Sequence, residues 1–492
     1  MMFTNRTDKE ENRRLLRSNK NPEYTEPING HRQQVRSRST LVEPVMFIFV
    51  MAKTLSDSVI TNLLEYRVCQ VELGLPEANC SDPITSRVED MVQPTTAQII
   101  MGRALLEAFI PSCLTVLIGP WSDANGRTPF MVIALGGMSL AYLCWGFLAL
   151  LPNLNPFLFL LASLPLSGSG GSWALYMLSY CYVSDVTDER ARSFRMSVLT
   201  MAIYCSLIFG SALAPVLIAV QHSLNPYPLI FFFSASLLII CTLYTHWYLR
   251  ESINIDLGGE KAFFKWSHVK DSFLTCFQRR SGHARAMIFL IMASLSINVF
   301  ISEGEGAVMY LSLREMFSWQ LSDFSTFSCF ANVTSGLGAF AGVWLFASLL
   351  GLSNMLVVVL LFIFRTARSL IFVFARSGLD FYIGAAVATF VSAYSALCRT
   401  EISRMVPRPD LGKVFALMSF LESLTPIAST PLYTLVYQLT FLEYPGAVYI
   451  FSTALCVVAL ILATIVFILQ RIVRGDCYCP DLTRDSHVQT ID

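Results

Sequence analysis

Ionisable side chains inside long apolar runs are the residues of this sequence best suited to chemistry. Lys53 and Asp57 stand four residues apart in one run, and Arg103 and Glu107 have the same spacing in the next. Residues at i and i+4 share a helix face, so each pair can neutralise its own charge. Even a neutralised pair is costly against lipid, so both pairs are expected to face the protein interior. This favours a substrate or proton pathway, with a purely structural pairing as the alternative.

Two acids of a later apolar run alternate with glycines. Glu303 and Glu305 lie in the segment Ser302–Gly306. Because glycine weakens a helix, the pattern predicts a hinge or a broken helix near one mouth of the protein. We expect Glu303 to belong to the substrate or proton pathway.

Basic residues in the last third of the chain suit an anionic solute. Arg365 and Arg368 lie one helical turn apart, Arg399 ends the next apolar run, and Glu422 lies in the run after that. We expect Arg399 and Glu422 to line the pathway. For Arg365 and Arg368, packing with Glu422 or with a neighbouring carbonyl is an equal alternative.

The proton carrier, if protons are coupled, should be a carboxylate. The six histidines lie outside the interiors of the apolar runs, so a histidine relay is not expected. The candidates are Asp57, Glu107, Glu303 and Glu422.

The composition indicates a membrane protein. Of 492 residues, 54% are hydrophobic and 14% are charged, against roughly a quarter charged in soluble domains. A net charge of zero gives no support for nucleic acid as a partner. No pattern of metal ligands, cofactor motif or catalytic nucleophile motif is found, so neither a metal, a cofactor nor an enzyme is expected.

Twelve apolar runs are long enough to cross a bilayer as helices. They predict an all-α membrane protein with the plan of six spans, a polar linker and six spans. The predicted spans are 42–62, 97–118, 130–151, 156–182, 196–220, 227–249, 285–308, 323–349, 353–375, 378–400, 414–438 and 446–470. The corresponding divisions are an N-terminal tail (1–41), a first set of spans (42–249), a linker (250–284), a second set (285–470) and a C-terminal tail (471–492).

The basic residues of the short loops set the predicted orientation. They concentrate on the side that carries both termini, which is therefore expected to be cytosolic. The loop after the first span is then extracytosolic. It contains Cys69, Cys80 and the sequon that begins at Asn79, so a disulfide and a glycan are both expected there. The sequon at Asn332 is expected to face the membrane.

The N-terminal tail contains a sorting motif. Glu11, Leu15 and Leu16 have the form of an acidic dileucine signal, which sorting adaptors read and which directs proteins to endosomes and lysosomes. The alternative, given equal weight, is that Leu15 and Leu16 are ordinary residues of the polar tail without a sorting role. The expected location is the plasma membrane or the endosome and lysosome.

The link between the second and third spans is unusual. It is Gly119–Pro129, GPWSDANGRTP, and Asp123–Gly126 has good turn chemistry. On the cytosolic side, between spans 2 and 3, it resembles the motif of the major facilitator superfamily. The matching residues are Gly119, Asp123, Gly126 and Arg127.

The form Gly-Pro-Trp-Ser-Asp-x-x-Gly-Arg is narrower, and is similar to that of the solute carrier 46 family, which includes the proton-coupled folate transporter. Further matches are Val42-Glu43-Pro44, Ser184-Asp185-Val186 with Arg192–Met196, and Arg399 with Gly412–Phe415. The resemblance covers residues 41 to 470. It implies a transporter of two six-helix bundles that rock about a central cavity.

The resemblance also implies a gate on the cytosolic side. Asp123 and Arg127 would form charge pairs that exist only when this side is closed, and Asp185, Arg192 and Arg195 are the expected neighbours. The N-terminus of the eleventh span offers its helix dipole to an acid. The alternative is that these residues only orient the spans.

The chain departs from the folate transporter at two positions, which favours the other anionic solutes of the family over folate. The family's proton-coupling glutamate in span 5 and histidine in span 7 are matched here by Thr200 and, approximately, Ile301. The resemblance therefore implies a secondary active, proton-coupled transporter of an organic anion that is folate-like, muropeptide-like or cyclic-dinucleotide-like. A membrane receptor or scaffold that binds such a solute without moving it is the alternative.

Overall fold

The structure is a computed structural model. It describes residues 41–76, 80, 86–220, 226–253, 270, 274–275, 277–278, 283–319, 321–407, 410–440, 444 and 446–476. Within these ranges the regular structure is helical, and eleven helices are long and apolar enough to cross a membrane. A bent pair of helices brings the number to twelve when it is counted as one span. The spans are numbered here in chain order.

Several of the first six spans are longer than the apolar runs alone predict, because they continue into polar sequence. Span 1 ends in a π-helical turn, and span 4 is broken into three pieces. Their bounds are Glu43–Arg67 with Val68–Glu72; Ser86–Asn125; Thr128–Leu150; Leu158–Ala162, Leu164–Gly168 and Gly171–Val186; Glu189–Val220; and Pro226–Trp247.

The last six spans begin after the linker. Span 8 ends in a π-helical segment, and span 10 is the bent pair, with a 3-10 segment at its bend. Their bounds are Ala284–Phe317; Leu321–Gly342 with Val343–Leu349; Asn354–Val373; Gly378–Val387, Thr389–Ala393 and Tyr394–Met405; Leu411–Thr440; and Ala447–Asp476.

Each set of spans packs mainly within itself, and two pairs of spans make most of the contact between the sets. Span 3 packs on span 6 and span 1 on span 5, while span 9 packs on span 12 and span 7 on span 11. Between the sets, span 2 packs on span 11 and span 5 on span 8. We call spans 1–6 the first half and spans 7–12 the second half.

The two ends of the bundle differ in character. The links 2/3, 4/5 and 10/11 meet at one end, where Arg127, Arg192 and Arg404 contact groups of neighbouring links. We call this end the basic side. The other end, the opposite side, carries the loop after span 1, where Cys69 and Cys80 form a disulfide.

Span 7 is not broken at its glycines, so the expected hinge is wrong. The helix runs without interruption from Ala284 to Phe317. Gly304 is needed for close packing instead, because a Cβ there would lie 2.2 Å from the ring of Tyr433 in span 11. A Cβ at Gly306 would meet no other atom within 4 Å.

Some sequence predictions fall on residues outside the described ranges. Asn79 lies there, as do Glu11, Leu15 and Leu16. The glycan and the sorting signal therefore stay predictions.

Candidate functional site

A buried arginine organises the link between spans 2 and 3. The Arg127 side chain is inaccessible to solvent, and its Nη2 lies 2.5 Å from Asp123 Oδ1 while its Nε lies 3.1 Å from Asp185 Oδ2. Its Nη1 donates to Ser122 Oγ at 2.6 Å. Burial alone would lower the pKa of Arg127, but the two carboxylates outweigh burial and raise this pKa. The guanidinium therefore stays charged and ties the ends of spans 2, 3 and 4 together.

A glutamate that sequence reasoning missed completes this cluster. Glu251, just after span 6, accepts hydrogen bonds from the backbone N–H groups of Arg127 at 2.7 Å and Thr128 at 3.0 Å. It thereby caps the N-terminus of span 3, which leaves backbone donors unpaired. Gly126 has φ 97°, and a Cβ there would lie 2.5 Å from Glu251 Oε2. The predicted turn is thus reduced to Gly126, because helix extends through Asn125.

Asp123 also reaches across to the second half. Its Oδ1 accepts from the N–H of Gly412 and its Oδ2 from the N–H of Lys413, both at 3.1 Å. These are the first backbone donors of span 11, where a helix attracts negative charge. The two halves are thus joined by a carboxylate at a helix N-terminus.

Two glycines permit this contact between halves. A Cβ at Gly119 would lie 2.4 Å from the Cβ of Ala416, and a Cβ at Gly412 would lie 2.3 Å from Asp123 Oδ1. Either position would force the halves apart if it carried a side chain. The glycine of the motif is therefore explained by the closeness of spans 2 and 11.

A second contact between halves joins the start of span 5 to the end of span 10. Arg192 Nη1 donates to Ser403 Oγ at 2.9 Å and to its carbonyl oxygen at 3.3 Å. In return, Arg404 Nη2 donates to the carbonyl oxygen of Glu189 at 3.2 Å. Together with Asp123 and span 11, these contacts form what we call the basic-side gate.

Arg195 does not join the Asp123 and Arg127 cluster, contrary to expectation. It pairs with Glu43 at the start of span 1, with Nη2 and Oε1 3.0 Å apart. Both residues belong to the first half, because span 5 packs against span 1. The pair therefore holds one half together and does not bridge the two.

Glu401 gives the second half a comparable cluster. Its Oε1 accepts from Asn354 at 2.8 Å and from Arg404 at 2.7 Å, and its Oε2 accepts from Gln470 at 3.0 Å. Asn354 also donates to Ser193 Oγ of the first half at 3.2 Å. The pairing of Glu401 with the amides of Asn354 and Gln470 could not be predicted from the sequence, because these residues lie in distant spans.

The charges of spans 1 and 2 form one network and not two separate pairs. Asp57 contacts both Lys53 and Arg103, and Arg103 Nε lies 2.6 Å from Glu107 Oε1. The guanidinium of Arg103 also lies 4.6 Å from the ring centre of Trp145. Two cations and two acids thus balance within the first half.

A cavity of about 610 Å³ lies between the halves. Spans 4 and 5 line it from one side and spans 7 to 11 from the other. The wall combines aromatic rings with basic groups, which suits an anion with a flat or apolar part. The aromatic residues are Trp173, Tyr176, Tyr180, Tyr204, Phe324, Phe327 and Tyr394, and the basic residues are Arg365, Arg368 and Arg399.

Arg399 and Glu422 lie together in the cavity wall. Arg399 Nη2 is 3.0 Å from Glu422 Oε1 and 2.9 Å from Oε2. The guanidinium also lies 4.4 Å from the ring centre of Tyr180, which belongs to the first half. The pair therefore joins spans 10, 11 and 4.

The other two arginines do not pair with Glu422, because Arg399 occupies that carboxylate. Arg368 Nη2 lies 3.1 Å from Glu305 Oε2. Arg365 Nη2 donates to Ser302 Oγ at 3.1 Å. In the part of the chain that the structure describes, Arg365 forms no ion pair although only 5% of it is exposed.

The remaining predicted positions are placed as follows. Glu303 is exposed and interacts electrostatically with Lys53. Thr200 lines the cavity, where its hydroxyl lies 3.1 Å from the hydroxyl of Tyr180, whereas Ile301 is buried away from it. Asn332 lines the cavity and does not face the membrane as expected.

Comparisons with known proteins agree with this geometry. The model of the Major Facilitator Superfamily matches residues 45–379. The Probable peptidoglycan muropeptide transporter SLC46 of Drosophila melanogaster is 27% identical over 88% of this chain and 87% of its own length. The Proton-coupled folate transporter of Bos taurus is 24% identical over 90% and 94%. The Lysosomal proton-coupled steroid conjugate and bile acid symporter SLC46A3 of Gallus gallus is 24% identical over 85% and 92%.

A solved structure shares the fold. The human organic anion transporter MFSD10 (TETRAN) superposes with a TM-score of 0.67 over 86% of this chain and 97% of its own length, at 16% identity. All-helical spans in two six-helix bundles are the fold of this chain.

Proposed function

The chain belongs to the major facilitator superfamily of membrane transporters, and we propose that it carries a small organic anion, coupled to protons, by alternating access. The curated relatives reported above are members of the solute carrier 46 family, as the motifs predicted. Folate, muropeptides and steroid conjugates are the solutes in their names, and all of them carry acidic groups. We propose a transporter and not an enzyme or a static receptor.

The observation that carries the choice of an anion is the charge of the cavity wall. Three guanidinium groups line the cavity, and Glu305 and Glu422 pair with two of them. Arg365 is buried and forms no ion pair in the described ranges, although Glu305 is among its electrostatic neighbours. Because a buried charge without a counter-ion is costly, an anionic solute would stabilise this wall on entry.

The basic-side gate supports alternating access. Its polar contacts join the halves through one carboxylate, backbone donors and a few side chains, each of which can exchange its partner for water when the halves separate. We propose that the basic side is cytosolic and that the cavity opens to it when these contacts separate. We also propose that sorting adaptors read the tail motif, which would place the protein in endosomes and lysosomes.

Uptake into proteoliposomes tests the proposal. Purified protein would be given folate, muramyl dipeptide and estrone sulfate in turn, with and without an inward proton gradient. We expect uptake of at least one of these acids, accelerated by the gradient and abolished by a protonophore. Arg365→Gln should reduce uptake, whereas Arg376→Gln, on an exposed arginine outside the cavity, should not. Tight binding without any uptake would instead support a receptor.

A further inference from the structure

Glu305 lies behind a cavity arginine. Its side chain in span 7 is 3% exposed, and it does not line the cavity, whereas Arg368 of span 9 does. Arg368 Nη2 lies 3.1 Å from Glu305 Oε2, and its guanidinium lies 4.6 Å from the ring centre of Phe372. The arginine thus stands between the cavity and the acid, and it can contact either.

The Glu305 carboxylate is only half satisfied. Oε2 contacts Arg368, but Oε1 is buried and accepts no hydrogen bond from any described residue. Glu422 differs, because Arg399 contacts both of its oxygens. In the described ranges, Arg368 is therefore the one arginine that forms an ion pair with Glu305.

In the described ranges, no neighbouring group donates a hydrogen bond to Glu305 Oε1. Its electrostatic neighbours are Arg365 on span 9, Tyr433 on span 11, and Tyr449 and Cys456 on span 12, in addition to Arg368. The neighbouring polar side chains have other partners. Arg365 donates to Ser302 Oγ, the Tyr433 hydroxyl lies 2.9 Å from Ser452 Oγ, the Tyr449 hydroxyl lies 3.0 Å from Ser312 Oγ, and Cys456 Sγ lies 3.8 Å from Ser369 Oγ.

We propose that Glu305 is the proton-binding residue of the transport cycle and that Arg368 exchanges between Glu305 and the acidic group of the solute. This inference rests on the proposed function. In the empty protein, Arg368 pairs with the Glu305 carboxylate. An entering anion takes Arg368 as its counter-ion and would leave that carboxylate buried and unpaired.

Protonation of Glu305 removes this buried negative charge. A carboxylate that loses its ion pair inside a protein is costly, so Glu305 binds one proton as Arg368 leaves it. A hydronium ion supplies this proton: one of its O–H bonds breaks, one O–H bond forms on Glu305, and water is left. When the solute dissociates on the other side, Arg368 returns, the O–H bond breaks and the proton is released there. One proton therefore accompanies each acidic group that takes Arg368.

Glu305→Gln tests the exchange, because glutamine has the shape of the protonated acid but cannot lose a proton. The assay uses whichever of folate, muramyl dipeptide and estrone sulfate the wild-type protein takes up fastest. The ratio of uptake with the gradient to uptake without it should fall to about one in the variant, whereas solute-for-solute exchange should persist. Glu315→Gln is the matched control, since this exposed acid lies on the same helix, outside the cavity lining and without contact to Arg368.

Solute affinity at different pH values gives an independent readout. With one linked proton, the affinity of the wild-type protein for the solute should fall by up to about tenfold for each unit by which the pH rises. The affinity of Glu305→Gln should not change with pH. A second variant, Arg368→Gln, covers the case in which Glu305→Gln does not fold. This variant should keep Glu305 protonated throughout the cycle, so its residual uptake should be the same with and without the proton gradient.

The possible failures can be told apart. A wild-type protein without gradient-driven uptake would overturn the proposed function. If uptake by the wild-type protein depends on the proton gradient and uptake by Glu305→Gln depends on it equally, the role of Glu305 alone is overturned. Arg368→Gln serves for the same comparison where Glu305→Gln does not fold.

Discussion

Replacing Asp123 by asparagine should open the basic-side gate. Asparagine keeps the shape of the side chain and one acceptor oxygen, but it removes the charge that the N–H groups of Gly412 and Lys413 meet at 3.1 Å. The lost ion pair with Arg127 lies within the first half, so it exists in both states of the gate. Only the two bonds to span 11 therefore enter the difference.

The magnitude follows from those two bonds. A hydrogen bond to a charged group contributes about 1.5–3 kcal/mol and one between neutral groups about 0.5–1.5 kcal/mol, so the bond that the asparagine oxygen keeps is weakened by about 1–1.5 kcal/mol. The other bond is lost, because the amide nitrogen cannot accept, and this costs about 1.5–3 kcal/mol. The sum of about 2.5–4.5 kcal/mol should shift the equilibrium between the closed and open gate about 60- to 1600-fold toward open.

Spin labels on the two halves would measure the shift. Asp188 and Pro407 are exposed at the basic side, one in each half, and double electron–electron resonance between labels there reports the separation of the halves. The labelled protein would lack its native free cysteines. We expect a longer-distance population in Asp123→Asn, together with slower net uptake, because re-closing the gate becomes the difficult step.

Glu43→Gln is the matched control. Glu43 is also an acid at the basic side that accepts hydrogen bonds, but its partner Arg195 lies in the same half. It should leave the distance distribution unchanged. Equal distributions for Asp123→Asn and the parent protein would refute the reasoning, as would an equally large shift in Glu43→Gln.

Further predictions concern packing, the loop and the tail. Gly119→Ala should favour the open gate and slow uptake, since its Cβ would lie 2.4 Å from Ala416 Cβ, whereas Gly136→Ala, which meets nothing within 4 Å, should be neutral in the same assays. Replacing Cys69 and Cys80 by alanine should destabilise the protein by about 2–4 kcal/mol, seen as a lower Tm; an unchanged Tm would contradict this. Changing both leucines of the tail motif to alanine should move the protein to the cell surface, and unchanged surface labelling would exclude the motif as a signal.

Much of the fold was predictable because its signals are local. The apolar runs and the polar linker gave the number of spans, and the spacing of Gly119, Asp123, Gly126 and Arg127 singled out the link between spans 2 and 3. These features depend on residues close together in sequence. The roles proposed for them stay predictions.

The pairing of charges could not be predicted, because it depends on contacts across the bundle. Glu422 pairs with Arg399 and leaves Arg365 and Arg368 to span 7. Likewise, the capping of span 3 by Glu251 joins residues more than 120 positions apart. Sequence shows which residues carry charge, but packing decides which charges meet.

Gly304 shows how a local rule fails in a packed helix. Glycine weakens an isolated helix by about 1 kcal/mol, which suggested a break in span 7. The close approach of Tyr433 needs a residue without a side chain there, and tertiary packing stabilises the helix. The weak propensity therefore marks a packing contact and not a hinge.

The charge balance of spans 1 and 2 has an electrical consequence. The transmembrane potential acts on net charge, with about 2.3 kcal/mol per elementary charge per 100 mV. Lys53, Asp57, Arg103 and Glu107 sum to zero and are linked to one another, so they move through the field together without electrical work. The voltage dependence of transport should therefore report the charges of the second half and of the solute. One proton and one monovalent anion together add no net charge to the carrier. The membrane potential should then not affect the step in which the loaded carrier reorients.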